Sequence, residues 1–577
     1  MQLAFSRTIF TSINHSLVMI FDSFNIGNQS LTSIPVYFIT NRILIITCLI
    51  ICLSALNARA TTARYRCMWR DNPATTMVVG WDQVTGTNPV FYYDVTDNGQ
   101  KAEAYKLSKK PDLIVPARGM NNAFVRLSGL KPNTVYYFVI KDSEGVSKRF
   151  SFKTAPDRPE RLSIIAGGDS RNHQKARVSA NRLVSKLRPH VVLFNGDMTP
   201  DDSAGEWRKW LDDWQETFGS DGRIFPVLVA RGNHEASNQS LIELFDVGSG
   251  GIFYAYNLGG NLLRIYTLNS LIPVTGTQLD WFEKDLQQNS NISWRMVQYH
   301  YAMRPHTKEK PEKDELVIHW APLFYKYKVQ LAIESDSHVA KWTYPLRPSN
   351  EPGSDEGFIQ DDEKGTVYVG EGCWGAPLRE ANDDKSWTRN SGSFNSFNWI
   401  FVDADKMEIR TVMTDVSEGV GELKDNNLFT QPVGLSIWRP SNGDVVTIYK
   451  NPALAMAAAK PKVDNTKVMS AAPEKPGTTT PTTKSSGGTA AADNTEFSKL
   501  QCDAAGKVSF KYTLPRAGNV LILLLDEKYT VLDRQSLSSQ TAKSYLREFD
   551  LSVQKKGIYH IIVKCGEDVI HKYQVNR

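Results

Sequence analysis

The sequence predicts an α/β layered domain flanked by two all-β sandwiches, and three observations carry that expectation. Residues 63 to 155 alternate apolar and polar side chains in short runs (TTMVVGWDQV, FYYDVTD, TVYYFVI) broken by turn signals such as Leu130-Lys131-Pro132-Asn133, the pattern of a β-sandwich. From Arg161 onward apolar strands alternate with helical stretches, as a layered α/β fold requires. Past a stretch rich in Pro, Thr, Ser and Gly, residues 498 to 577 return to short strands (KVSFKYTL, NVLILLLD, GIYHIIVKC).

Taken in chain order, residues 1–60 read as a signal peptide with an N-terminal extension. Arg42 precedes the apolar run ILIITCLIICLSAL at 43–56, and Ala58-Arg59-Ala60 follows as a small-x-small cleavage site. The run is shorter than the ~20 residues a membrane-spanning helix needs, so cleavage and export are expected rather than anchoring. The protein is then secreted or held at the cell surface, the periplasm included, with the export machinery as a partner. Residues 61–157 form the first sandwich, 158–450 the layered domain, 451–497 a disordered linker and 498–577 the last sandwich.

Composition narrows the function. At 577 residues the chain exceeds what one core supports. The formal charge is only +5 with 22% charged residues, and no basic block stands out, so no nucleic-acid scaffold is expected. Cys67, Cys373, Cys502 and Cys565 remain after cleavage, and no Cys-x-x-Cys occurs, which argues against a thiolate zinc site. In an exported protein Cys502 and Cys565 can bridge the last domain.

The chemistry gathers at strand ends. The segment LAIESDSHV at 331–339 places Glu334, Asp336 and His338 after a buried strand; alone, such an ending is ordinary. Yet LSIIAGG leads to Asp169, VVLFNG to Asp197, FPVLVARG to Asn233 and WRMVQY to His300. Layered α/β sheets collect active sites at the carboxyl ends of their strands. Carboxylates, an amide oxygen and imidazoles suit two divalent or trivalent cations. Such a pair, ~3.5 to 4 Å apart, clamps a phosphoryl group and acidifies water, so the expected substrate is a small phosphorylated molecule.

The stretches GGDSR (167–171), NGDM (195–198), RGNHE (231–235), QYH (298–300) and SDSH (335–338) resemble the five ordered motifs of calcineurin-like metallophosphoesterases. With the upstream β module and HVAKWTYP at 338–345, residues 63 to 445 are most similar to purple acid phosphatases, and LSGLKPNTVYYFVI resembles a fibronectin type III module. The resemblance implies a secreted dinuclear phosphoesterase acting on phosphate monoesters or anhydrides with manganese, iron or zinc. Asp169 would bind the first metal, Asp197 would bridge, Asn233 and His300 would bind the second, and His338 would return to the first. His234 would face the phosphate and protonate the leaving oxygen, with Arg304 and His306 on the substrate side.

Three positions depart from the family. Pro200 stands where its tyrosine is expected, Arg171 where the wider superfamily often has a histidine, and Asp336 where it writes a metal-binding histidine. The first metal keeps Asp169, Asp197 and His338 unless His173, Asp201 or Asp202 contributes, and Asp336 is expected on the second metal. The competing expectation is a decayed, non-catalytic surface protein that binds through its sandwiches. The last ~80 residues resemble the sorting domains of the bacterial type IX secretion pathway, a plain immunoglobulin-like binding domain being the other reading.

Overall fold

The computed structural model describes residues 61–451 and 498–577, a few loop positions of the latter segment excepted. The expected signal peptide and nearly all of the linker lie outside the described residues. Among the described residues, no helix is long and apolar enough to cross a membrane. The chain divides into two compact units, with the boundary near residue 463.

The first unit opens with eight strands in two antiparallel four-stranded sheets. One is ordered Thr62–Met68, Met77–Gln83, Met120–Leu127, Leu113–Ala117, and the other Leu107–Lys109, Val90–Asp94, Val135–Lys141, Phe150–Lys153. The period-2 alternation turns Val79, Trp81, Phe91, Phe138 and Phe152 inward, all fully buried. This sandwich is tied to the layers that follow. Buried Arg66 donates to the Leu244 carbonyl and to Asn122 Oδ1, and Arg126 forks onto both oxygens of Asp246 at 2.7 Å.

Two central sheets then face each other. The six-stranded sheet runs Val227–Val229, Val191–Phe194, Leu162–Gly167, Ser396–Val402, Lys406–Met413, Val446–Tyr449, and its first three strands are parallel. The seven-stranded sheet runs Tyr254–Leu258, Leu263–Thr267, Trp294–Tyr301, Leu331–Ser335, Val367–Gly370, Ala340–Thr343, Thr388–Gly392, with a parallel centre. Ile164, Ala166, Leu193, Met296, Leu331 and Ile333 fill the space between the sheets. The alternate residues pack outward: Ile165 and Val192 meet the helices Gln174–Leu187 and Ala204–Trp214. On the other side Val297, Tyr299 and Ala332 meet the helix Thr277–Gln288 and the short helices at 314–326. The order is helix, sheet, sheet, helix, the α/β fold class expected, and both sheets end their parallel strands at one edge.

In the second unit a five-stranded sheet runs Ser498–Gln501, Asp568–Asn576, Ile558–Cys565, Gly518–Leu525, Val531–Gln540, and a two-stranded antiparallel sheet pairs Lys507–Thr513 with Ser544–Asp550. All four described cysteines are free thiols, so the bridge considered between Cys502 and Cys565 is absent. The sheet register explains why. The Cys502 amide binds the Asn576 carbonyl, whereas Cys565 pairs with Asp568; the two thiols sit at opposite ends of one nine-residue strand, far beyond the ~6 Å Cα separation of a disulfide.

Candidate metal centre

Four strand-end residues that aim their side chains into one cleft have left-handed backbones: Asp169 (φ 58°), Asp197 (φ 55°), Asp336 (φ 73°) and His338 (φ 57°). Aspartate and histidine tolerate this region better than most residues, and it turns the chain sharply off each strand. The turns leave no spare room. A Cβ on Gly232 would collide with the Asp197 carboxylate, and one on Gly372 with that of Asp169. Glu235, fully buried, holds the turns in register by accepting from the amides of Asp197 (3.0 Å), Met198 (2.8 Å) and Gly232 (2.7 Å). Its role was missed in the sequence, although it closes the RGNHE stretch.

His300 Nδ1 lies 2.8 Å from the Asn195 carbonyl and must donate to it. Its Nε2 therefore carries a lone pair whenever the ring is neutral, and it faces Asn233 Oδ1 (3.1 Å), Asp197 Oδ1 (3.4 Å) and Asp336 Oδ1 (3.7 Å). The Nε2 lone pair thus meets three oxygens at 3.1 to 3.7 Å, a crowding that a proton on the ring or a metal ion relieves, and the donor set fits a divalent cation. Asp169 belongs to the same cluster, each of Asp169, Asp197 and His300 offering an atom within 4.8 Å of the others. Asp169 Oδ1 is buried and accepts no hydrogen bond, as a carboxylate turned toward a cation would be.

The first metal position expected from the family is built otherwise. His338 Nδ1 donates to the Pro377 carbonyl at 2.7 Å, so its Nε2 also turns a lone pair inward, 3.2 Å from Asp169 Oδ1. Into this position comes Arg171: its Nη2 is 3.2 Å from His338 Nε2 and its Nε 3.3 Å from Asp197 Oδ2. None of the three residues weighed as a substitute ligand stands in for the missing one. Asp202 is held by Arg118, Trp207 and Ser240, while His173 and Asp201 are exposed. Three donors beside a guanidinium do not fit a second metal ion.

The other expected residues fall in different places. Asp336 borders the centre, but its Oδ1 is paired with Lys310 at 2.6 Å, a cation the sequence reading did not single out. His234 stays on the cleft side: Nδ1 donates to the Pro200 carbonyl and Nε2 lies 3.7 Å from Asp197 Oδ2, with the ring 27% exposed. His306 and Arg304 are not on the substrate side. His306 is fully buried between Glu371 and Thr388. Arg304 is spent on Asp314 and the Met303 and Glu356 carbonyls. The loop after Tyr301 is drawn inward by buried carboxylates, Glu334 accepting the Met303 amide and Glu371 the His306 amide, and nothing local in the sequence announces that.

The charges inside the centre are strongly coupled. Burial alone would raise the Asp169 carboxyl, but the charge of His300 and the Asp336 amide that donates to it hold it below its ordinary value. Burial alone would lower the His300 imidazole, yet Asp197, Asp169 and Asp336 outweigh that and lift it to about 9. A metal ion needs the Nε2 lone pair, so below about pH 9 its binding must expel the His300 proton. Metal affinity is therefore expected to rise roughly tenfold per pH unit from neutrality to that point and then level off. Chelator-buffered manganese titrations at several pH values check this, and an affinity independent of pH would refute it.

Two family models match the chain: the purple acid phosphatase N-terminal domain over residues 63–154 and the calcineurin-like phosphoesterase over residues 170–340. Purple acid phosphatase 15 of Arabidopsis thaliana is 23% identical over 320 residues, 46% of this chain and 59% of that protein. An uncharacterised protein of Mycobacterium tuberculosis is 23% identical over 360 residues, 52% of this chain and 66% of its own length. The chain thus spans about two thirds or less of these curated relatives. Among solved structures, the purple acid phosphatase PPD1 from yellow lupin seeds superposes with a TM-score of 0.52 at 15% identity, over 71% of this chain and 78% of that one. PhoD superposes with a TM-score of 0.51 at 11% identity, over 67% and 90%. At such identities the structural likeness is one of fold.

Proposed function

The chain joins a purple acid phosphatase N-terminal domain to a calcineurin-like phosphoesterase domain, and on that premise we propose that it is an exported, metal-dependent hydrolase of small phosphate monoesters or anhydrides. The observation that carries this reading is the convergence of His300 Nε2 with Asn233, Asp197 and Asp336 oxygens. Those residues would hold a divalent cation, which supplies Lewis-acid polarisation of a phosphoryl oxygen and acidifies water.

The chain's own groups do the rest. Asn233 is exposed at the cleft mouth and orients the phosphate by its amide. His234, its Nδ1–H fixed on Pro200, can exchange a proton only at Nε2. In the imidazolium form that atom gives its proton to the oxygen leaving phosphorus, and the neutral ring takes one back from water. Export is inferred from the apolar run at 43–56 and the Ala-Arg-Ala after it. The dinuclear form implied by the family would require Arg171 to leave the first position.

The second reading, a non-catalytic binding protein, draws on that same Arg171 and on Lys310, internal cations in a cleft built for metals. One experiment separates the two. Protein stripped by chelator and reloaded with manganese, zinc or iron is assayed on phosphomonoesters, diesters and nucleotides. Metal-restored hydrolysis supports the enzyme; loaded protein that turns over none of them leaves the binding module.

A further inference from the structure

The first metal position already holds a cation that belongs to the chain. Arg171 is only 13% exposed in its side chain and Asp197 not at all. Its guanidinium pairs with Asp197 Oδ2 at 3.3 Å, meets His338 Nε2 at 3.2 Å and reaches Asn172 Oδ1 with Nη1 at 3.3 Å. The tautomer agrees, because His338 donates from Nδ1 to Pro377 and so accepts at Nε2. An arginine remains charged under all conditions where proteins fold. A metal bound to Asp197 Oδ2 would lie about 2.1 Å from that oxygen, crowding a guanidinium nitrogen 3.3 Å from the same atom.

On the opposite side Lys310 neutralises Asp336. Asp169, Asp197 and Asp336 thus face two fixed cations, and one dication leaves the cluster with a single net positive charge. That balance suits a phosphate dianion, whereas a second dication would leave three positive charges in a buried pocket.

Resting on the proposed phosphoesterase reading, we propose that this is a centre of one metal and one arginine. The metal occupies the Asp197, Asn233, His300 and Asp336 donors, with Asp169 beside them. Arg171 takes the place of the first metal and binds a non-bridging oxygen of the substrate phosphate through its N–H groups. The atoms it contacts, Asp197 Oδ2 and His338 Nε2, then serve to hold a guanidinium rather than a second ion.

The test begins with the full wild-type chain, stripped, loaded with manganese(II) and dialysed, then read by metal analysis and electron paramagnetic resonance. One manganese per chain with the signal of an isolated ion is expected. Two per chain with a spin-coupled signal overturns the one-metal centre and leaves the phosphoesterase reading standing; no bound metal removes both. The Arg171→His variant restores an imidazole to the first motif and is expected to take up two coupled ions. A folded variant that still binds one shows that Arg171 is not what excludes the second ion, and overturns the proposal. Inorganic phosphate, titrated calorimetrically into manganese-loaded wild type and Arg171→Met, is expected to bind the variant at least tenfold more weakly. Equal affinity would remove Arg171 from phosphate recognition.

Discussion

Asp197→Ala is expected to lower phosphoesterase turnover by about a hundredfold or more while the protein still folds, the order of effect that follows loss of a metal clamp. Asp197 is fully buried and both its oxygens are used. Oδ1 accepts the His234 amide at 2.8 Å and lies 3.4 Å from His300 Nε2. Oδ2 is the counter-charge of Arg171. The alanine variant therefore loses a metal donor, frees the loop carrying Asn233 and His234, and leaves a buried guanidinium without its carboxylate. Asp197→Asn keeps an acceptor for the His234 amide but not the charge; it is expected to fold better and to be nearly as inactive. Turnover, bound metal and circular dichroism are measured together. A well-folded Asp197→Ala protein with turnover within threefold of wild type would remove Asp197 from the centre.

The residues that line the cleft were legible because each depends on a local pattern, an apolar strand followed at once by a side chain able to coordinate. Five such endings in order are hard to arrange by chance, and parallel strands bring them to one edge. The same locality explains the layered fold. What could not be read was which neighbours would turn toward the ligands. Arg171 was noticed only as a missing histidine; that it folds back onto Asp197 and His338 depends on contacts across the sheet. Lys310 comes from a loop whose path is set by buried Glu334 and Glu371. That path also carries His306 and Arg304 away from the cleft, where the family resemblance had placed them. Glu334 itself, two residues before Asp336, proved to be neither ligand nor solvated strand end but part of a buried ion network.

That network underlies the largest stability effect expected in the molecule. Lys341 is 1% exposed and pairs at 2.5 Å with both Glu334 and Glu371, whose side chains are fully buried. The Tyr299 hydroxyl and the Met303 amide donate to Glu334, and the His306 amide donates to Glu371. Burial alone would raise the Glu371 carboxyl, but Lys341 and then His306 hold it down at about 2. Lys341→Met, close in volume and without charge, leaves two buried carboxylates sharing no ammonium, and is expected to destabilise the first unit by about 3–5 kcal/mol. Because the Glu371 backbone carbonyl accepts the His338 amide at 2.6 Å, the loosening should also weaken the turn that carries His338.

The pH dependence fixes the cause. A carboxyl depressed from an ordinary 4.5 to about 2 stabilises the wild type above its ordinary value, and that stability is lost as pH falls toward about 2. The variant lacks most of it, so the deficit should be full at about pH 7 and smaller at about pH 4. All 13 tryptophans lie between residues 69 and 438, so denaturant unfolding followed by tryptophan fluorescence reports the first unit without the second. A Lys341→Met protein within about 1 kcal/mol of wild type at neutral pH would mean that the buried pairs do not hold the sheet edge behind the metal centre. A deficit that failed to shrink in acid would assign the loss to packing rather than to charge.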